Sequence, residues 1–248
     1  MRAKHTDKSK ILLWVAIVYI LSFVCYVPVL LERCGISIPN GLLLLKYLFV
    51  FVPAMTAIGL LACEHTIKTC FFQMLSGEIT IERILTWGIF TVAGILASYC
   101  YSFIVKVNVF QDTYLSIAGL LTSCIYLFMT AFVEEIAWRG FLLERVSFQG
   151  KGICSIIFVG IVWAVWHMPM WIIRNSQSIG QIAYLCIWTL LVSVVLGITY
   201  YQCRNILFIA MLHATFNICY LAPINYNIAI LAVIIVMSAL LEKNKHKE

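Results

Sequence analysis

Six polar side chains sit inside or against apolar stretches of this chain, and their types suit hydrolysis: Glu134, Glu135, Arg139, His167, His213 and Asn217. A carboxylate at the centre of a hydrocarbon layer costs roughly 2.5 to 3.5 kcal/mol on insertion scales. Two adjacent carboxylates held directly after the apolar run Leu115–Val133 are the leading functional signal. Of the five histidines, His5, His65 and His246 fall in tails or loops, and His167 and His213 fall inside apolar runs.

Spacing separates the roles. Glu135 and Arg139 are i and i+4, so they share a helix face and can pair. Glu134 is rotated about 100° from Glu135 and is free to aim elsewhere. Glu134 is therefore expected as a general base and Glu135 as an orienting partner of Arg139. His213 and Asn217 are also i and i+4, and are expected as donors to the oxyanion formed when water attacks a carbonyl. His167 is expected to share the water with Glu134 or to tune its proton. Glu134 lies sixteen residues before Gly150 and His167 seventeen after it, so an antiparallel hairpin turning at Gln149–Gly152 sets them at one level. Pro169, two residues past His167, removes a backbone donor and is expected to bend its helix and open space.

Other intramembrane chemistries lack their residues. An aspartyl site needs two membrane aspartates, and the chain has Asp7 and Asp112 alone, both outside the apolar runs. No His is followed by Glu, so the H-E-x-x-H zinc pattern is absent. No G-x-S-x-G is present. Glu134, His167 and His213 do form a His2Glu set of the kind that holds catalytic zinc, so a metal-dependent version stands as an alternative to a site without cofactor.

The elements that must position these residues are membrane helices. Hydrophobic residues make up 63% of the chain and charged ones 11%, with mean hydropathy +0.98, where a soluble domain carries about 25% charged residues. The reading is an all-α polytopic membrane bundle, one integral domain over 1–248. Its apolar runs are 11–31, 42–63, 84–105, 115–138, 153–173, 179–201, 206–222 and 228–241, about eight transmembrane helices. The first run is too long for a signal-peptide core and reads as a retained helix. With the N-terminus inside, thirteen basic residues fall on inner segments, three (Arg33, Lys106, Arg174) on outer loops and Lys46 within a run. Both termini are therefore expected in the cytoplasm. The net charge of +6 follows from this distribution and does not point to nucleic acid. Ten cysteines, most in apolar runs and none in a C-x-x-C, read as small buried hydrophobes. The 64–83 loop, with Phe71-Phe72 beside Lys68, is a candidate amphipathic segment along the inner interface.

Depth is set by two counts that pull apart. Hydropathy places Glu134 near the inner end of its run, while the hairpin count places it about 24 Å from the turn. Both hold if the hairpin projects past the membrane with Phe141–Phe148 as a continuing amphipathic turn, which implies a cavity open to the cytoplasm.

Glu134-Glu135-x-x-x-Arg139, then Trp163 four residues before His167, then His213-x-x-x-Asn217 resembles the CPBP family, which includes CAAX-prenyl-protease-like, Abi and bacteriocin-processing or immunity membrane proteins. The resemblance covers roughly 115–222. It implies an eight-helix intramembrane endopeptidase with a cytoplasm-facing site, in which Glu134 and His167 activate water and His213 with Asn217 stabilises the oxyanion. The aromatic of the second motif is usually Phe, and Trp163 stands there in this chain.

Plainer readings stand beside these. A histidine in an apolar helix is more often a hydrogen-bonded packing residue. Asn217 alone is helix–helix glue, the Glu135–Arg139 pair is structural in either case, and Trp163, Trp166 and Trp171 suit packing. A non-enzymatic immunity or scaffold protein binding a peptide in the same cavity is therefore the second alternative. The expected surroundings are membrane lipid and a peptide or membrane-protein substrate reached from the cytoplasmic side, in a multi-pass protein of a cell membrane. The compact chain without soluble appendages reads as bacterial.

Overall fold

The computed structural model describes residues 8–85, 87–89, 117–146, 152–174 and 177–220. Every regular element among them is helical. The expected runs 84–105, beyond its first residues, and 228–241 lie outside the described residues.

Helix α1 (Lys8–Arg33) buries Trp14, Val18, Ser22 and Tyr26 at four-residue spacing, while Leu12, Leu13 and Ile20 on its other side are exposed. Apolar residues all round mark a helix that meets lipid as well as protein. Gly35, at φ 84°, adopts the left-handed backbone that ends this helix without a Cβ clash. The chain returns in α2 (Asn40–Cys63), which begins with 3-10 turns through Phe51 and becomes regular from Val52, where Pro53 needs no amide partner. Helix α3 (Ile67–Leu75) occupies the stretch expected to be amphipathic, with Phe72 exposed and Met74 buried against Gly140.

Helix α4 (Ile117–Glu135) runs straight into a π-helix over Ile136–Leu143. Helix α5 (Ile153–Pro169) likewise continues as a π-helix over Met170–Arg174. That wide turn begins directly after Pro169, where the missing N–H disturbs the regular ladder. Helix α6 (Ile179–Cys203) opens on a capping box between Ser178 and Gln181 and ends at Arg204, at φ 51°. Helix α7 (Ile206–Tyr220) follows at once.

Five described stretches are long and apolar enough to cross a membrane, and 206–217 is a shorter apolar helix. The closest packing pairs α5 with α6 and α4 with α7. Small residues permit the first: a Cβ on Gly197 would lie 2.6 Å from Ile156 Cγ2, and one on Gly160 would lie 2.9 Å from Ser193 Cβ. Helix α1 is tied to α5 by Tyr19 Oη donating to the Val162 carbonyl at 2.9 Å and by Trp166 Nε1 donating to Ser22 Oγ at 2.8 Å.

One end of the bundle gathers the basic residues. There Arg145 pairs with Glu64 at 2.6 Å and Arg204 pairs with Glu144. Asn205 Nδ2 donates to the Gly77 carbonyl at 3.0 Å, and its Oδ1 caps α7 by accepting from Phe208 N at 3.2 Å. The expected projecting amphipathic turn at Phe141–Phe148 is corrected. Phe141, Leu142 and Leu143 are fully buried, because the helix continues inward against Trp14 and Met74. Residues 147–148 lie outside the described set.

Candidate active site

The π-helix extends the α4 span to Leu143, so Glu134 and Glu135 sit in the middle of a continuous helix and not at its foot. Both are buried, as are Arg139 and His213, while His167 and Asn217 are half-buried. The six polar residues are contributed by α4 with its π-helical continuation, α5 and α7.

Two linked networks hold them. In the first, Arg139 Nη1 donates to Glu135 Oε1 at 2.6 Å, and His213 Nδ1 donates to the same oxygen at 2.7 Å. Arg139 Nη2 donates to Ser193 Oγ of α6 at 3.2 Å. With Glu135 and Arg139 fully buried, this pairing is a condition for the fold, because a lone charge there would be uncompensated. In the second, Trp163 Nε1 donates to Glu134 Oε2 at 2.8 Å, and the Trp163 carbonyl accepts from His167 Nδ1 at 3.0 Å. Trp163 also joins the networks: the Arg139 guanidinium lies 4.7 Å from its ring centroid, and the His213 ring meets it edge-on at 5.0 Å.

Glu134 and His167, expected to face each other, are therefore joined through Trp163. His167 is further fixed by the Trp171 ring stacked on it at 5.2 Å and by Trp166 at 4.7 Å. A ring nitrogen against a carbonyl or carboxylate must donate, so Nδ1 of each histidine carries a proton. Among the described residues, no hydrogen bond engages either Nε2 atom or Glu134 Oε1.

Glu134, His167, His213 and Asn217 all line one cavity of about 240 Å³. Its walls are largely aromatic, with Trp163, Trp166, Trp171, Trp188 and Phe216 among them, and Thr130 and Thr189 add hydroxyls. The geometry suits an extended apolar segment with its polar backbone turned toward two imidazoles and a carboxylate. Three contributions were not legible in the sequence. Ser193 is one hydroxyl in an apolar helix, the second partner of Glu135 lies 78 residues away, and nothing in the spacing of Trp163 marks its N–H as a donor to Glu134. Among the described residues, no three His, Cys, Asp or Glu side chains are grouped closely enough to hold a metal ion. Cys25, Cys34, Cys63, Cys70, Cys124, Cys154, Cys186 and Cys203 are free thiols.

Fold and site together define a class: a helical membrane bundle with a carboxylate–imidazole cluster opening on an internal cavity. Residues 113–219 match the family described as type II CAAX prenyl endopeptidase Rce1-like, and over this stretch the chain is similar to that family. A stretch of 52 residues is 31% identical to the CAAX prenyl protease 2 of Methanococcus maripaludis, covering 21% of this chain and 19% of that protein. The match thus spans about a fifth of the relative's length.

Proposed function

We propose that this chain is an intramembrane endopeptidase in which Glu134 and His167 activate water. The observation that carries the reading is the convergence of Glu134, His167 and His213 on one cavity, each with an oxygen or Nε2 that bonds to none of the described residues. A water held between Glu134 Oε1 and His167 Nε2 gives its proton to Glu134 as its oxygen bonds to the substrate carbonyl carbon. The oxyanion so formed accepts hydrogen bonds from His213 Nε2 and the Asn217 amide. Donation from His213 requires a ring protonated on both nitrogens, with Glu135 as its counter-ion. Collapse of the intermediate breaks the C–N bond, and the proton on Glu134 passes to the leaving amine.

The Glu135–Arg139–Ser193 chain holds the His213 ring in place, and Trp163 does the same for Glu134 and His167. The match to the Rce1-like family over 113–219 and the partial identity to a CAAX prenyl protease support peptide-bond hydrolysis as the reaction. The zinc alternative needs the two Nε2 atoms and Glu134 to close on a single point. The deciding experiment is cleavage of reporter peptides by the reconstituted protein and by its Glu134→Gln variant. Cleavage by the first and not the second is expected, and equal cleavage by both would remove Glu134 from the mechanism.

A further inference from the structure

The first turns of α2 carry a lysine on their inward side. From Leu44 to Phe51 the backbone runs in 3-10 turns, in which side chains three residues apart eclipse one another. Leu43, Lys46, Phe49 and Val52 are accordingly shielded, whereas Leu44, Tyr47, Leu48 and Phe51 are exposed. Lys46 thus shares a row with Phe49, which is buried and stacks on Trp166 at 4.0 Å. Trp166 in turn meets the His167 ring at 4.7 Å. Lys46 lines the same cavity as Glu134 and His167.

Its surroundings do not account for a cation there. A lysine that serves topology alone extends its stem to the water interface. The Lys46 ammonium instead lies 5.3 Å from the ring centroid of Tyr47, another lining residue. Elsewhere Arg139 is matched by Glu135, Arg145 by Glu64 and Arg204 by Glu144. Lys46 meets no carboxylate among the described residues. An ammonium offers three donors, and a ring face engages its charge without accepting them all.

Glu134 is the one carboxylate among the described lining residues, and it opposes a second acid entering an aromatic cavity. A ligand acid is held there only where a cation offsets that repulsion and the lost hydration. Lys46 is the one Lys or Arg in that lining. We infer that Lys46 is a specificity-determining residue that receives a carboxylate of the bound peptide. The apolar walls take the residues between that carboxylate and the bond facing Glu134. This rests on the peptide-binding reading of the cavity and names a feature its occupant carries. The carboxylate belongs to an Asp or Glu side chain or to the peptide's C-terminus, and Lys46 reads the charge that both share.

The test measures binding, so it needs no turnover. The full chain carrying Glu134→Gln, in phosphatidylcholine nanodiscs, is titrated calorimetrically with apolar peptides. One arm moves a single Glu, with Gln and Lys as controls, along C-terminally amidated peptides. The other compares free and amidated C-termini in peptides without Glu. An acid at one position, or at the terminus, is expected to bind at least tenfold tighter than its neutral counterpart. Adding Lys46→Arg should keep that ratio, Lys46→Met should bring it near one, and Lys46→Glu should turn the preference toward the Lys peptide. An inverted preference also certifies that the variant is folded. Equal binding of acidic and neutral peptides, binding of none, or a preference untouched by Lys46→Met overturns the inference. The last result, with anionic lipid lost from Lys46→Met in native mass spectrometry, would mark Lys46 as a lipid contact. Cleavage by the chain with Glu134 intact is scored in parallel. Acid-preferring binding without cleavage would reject the peptidase chemistry and leave the role of Lys46 standing.

Discussion

The indole N–H of Trp163 points at Glu134, with Nε1 2.8 Å from Oε2, and so fixes which carboxylate oxygen is left for water. A hydrogen bond to a charged group is worth about 1.5–3 kcal/mol. Trp163→Phe keeps the ring and deletes the donor. The expected result is a fall in kcat of about ten- to hundredfold, with KM and the thermal midpoint in detergent little changed. Full activity in this variant would show that carboxylate placement does not depend on the indole.

Glu134→Gln should fold normally, since the amide oxygen can still accept from Trp163. It cannot take a proton from water. Peptide cleavage should fall by at least about a hundredfold, in the range ascribed to general bases. Peptide binding, followed separately, should persist.

The Glu135–Arg139 pair has the opposite signature. Both side chains are fully buried, and Glu135 Oε1 serves Arg139 and His213 together. Arg139→Ala strands a carboxylate in the interior and should destabilise the protein by about 3–5 kcal/mol. Thermal unfolding in detergent, or the yield of monodisperse protein, reports it. Combining Arg139→Met with Glu135→Gln should recover much of the stability but not the activity, because His213 loses its anchor.

Gly77 meets the turn between α6 and α7 without room for a side chain. A Cβ there would lie 1.7 Å from the Cys203 carbonyl oxygen. Gly77→Ala should therefore break the docking of Gly77 on Asn205 and lower stability by about 1–3 kcal/mol, with the active-site geometry otherwise intact. Thermal midpoints compared at equal lipid content test this.

Water activation by Glu134 and His167 without a metal predicts that cleavage survives prolonged treatment with a zinc chelator. Elemental analysis of the purified protein should find zinc well below one equivalent. Loss of activity on chelation with recovery on zinc addition would favour the His2Glu alternative.

Hydropathy made the spans legible, since each must bury or solvate its own backbone in lipid. The four-residue spacing of Glu135 with Arg139 made their pairing legible, because helix geometry alone brings them together. What periodicity could not give is the register between helices distant in the chain. That register brings His213 to Glu135 and Ser193 to Arg139. The site's depth was misjudged because hydropathy falls at the Glu-Glu pair, although the helix continues as a buried π-helix to Leu143.

Four of the seven tryptophans, Trp163, Trp166, Trp171 and Trp188, line the cavity. Their emission will shift when the pocket fills or dries. The protein thus has a built-in optical gauge of occupancy, readable without any dye and in variants that no longer turn over.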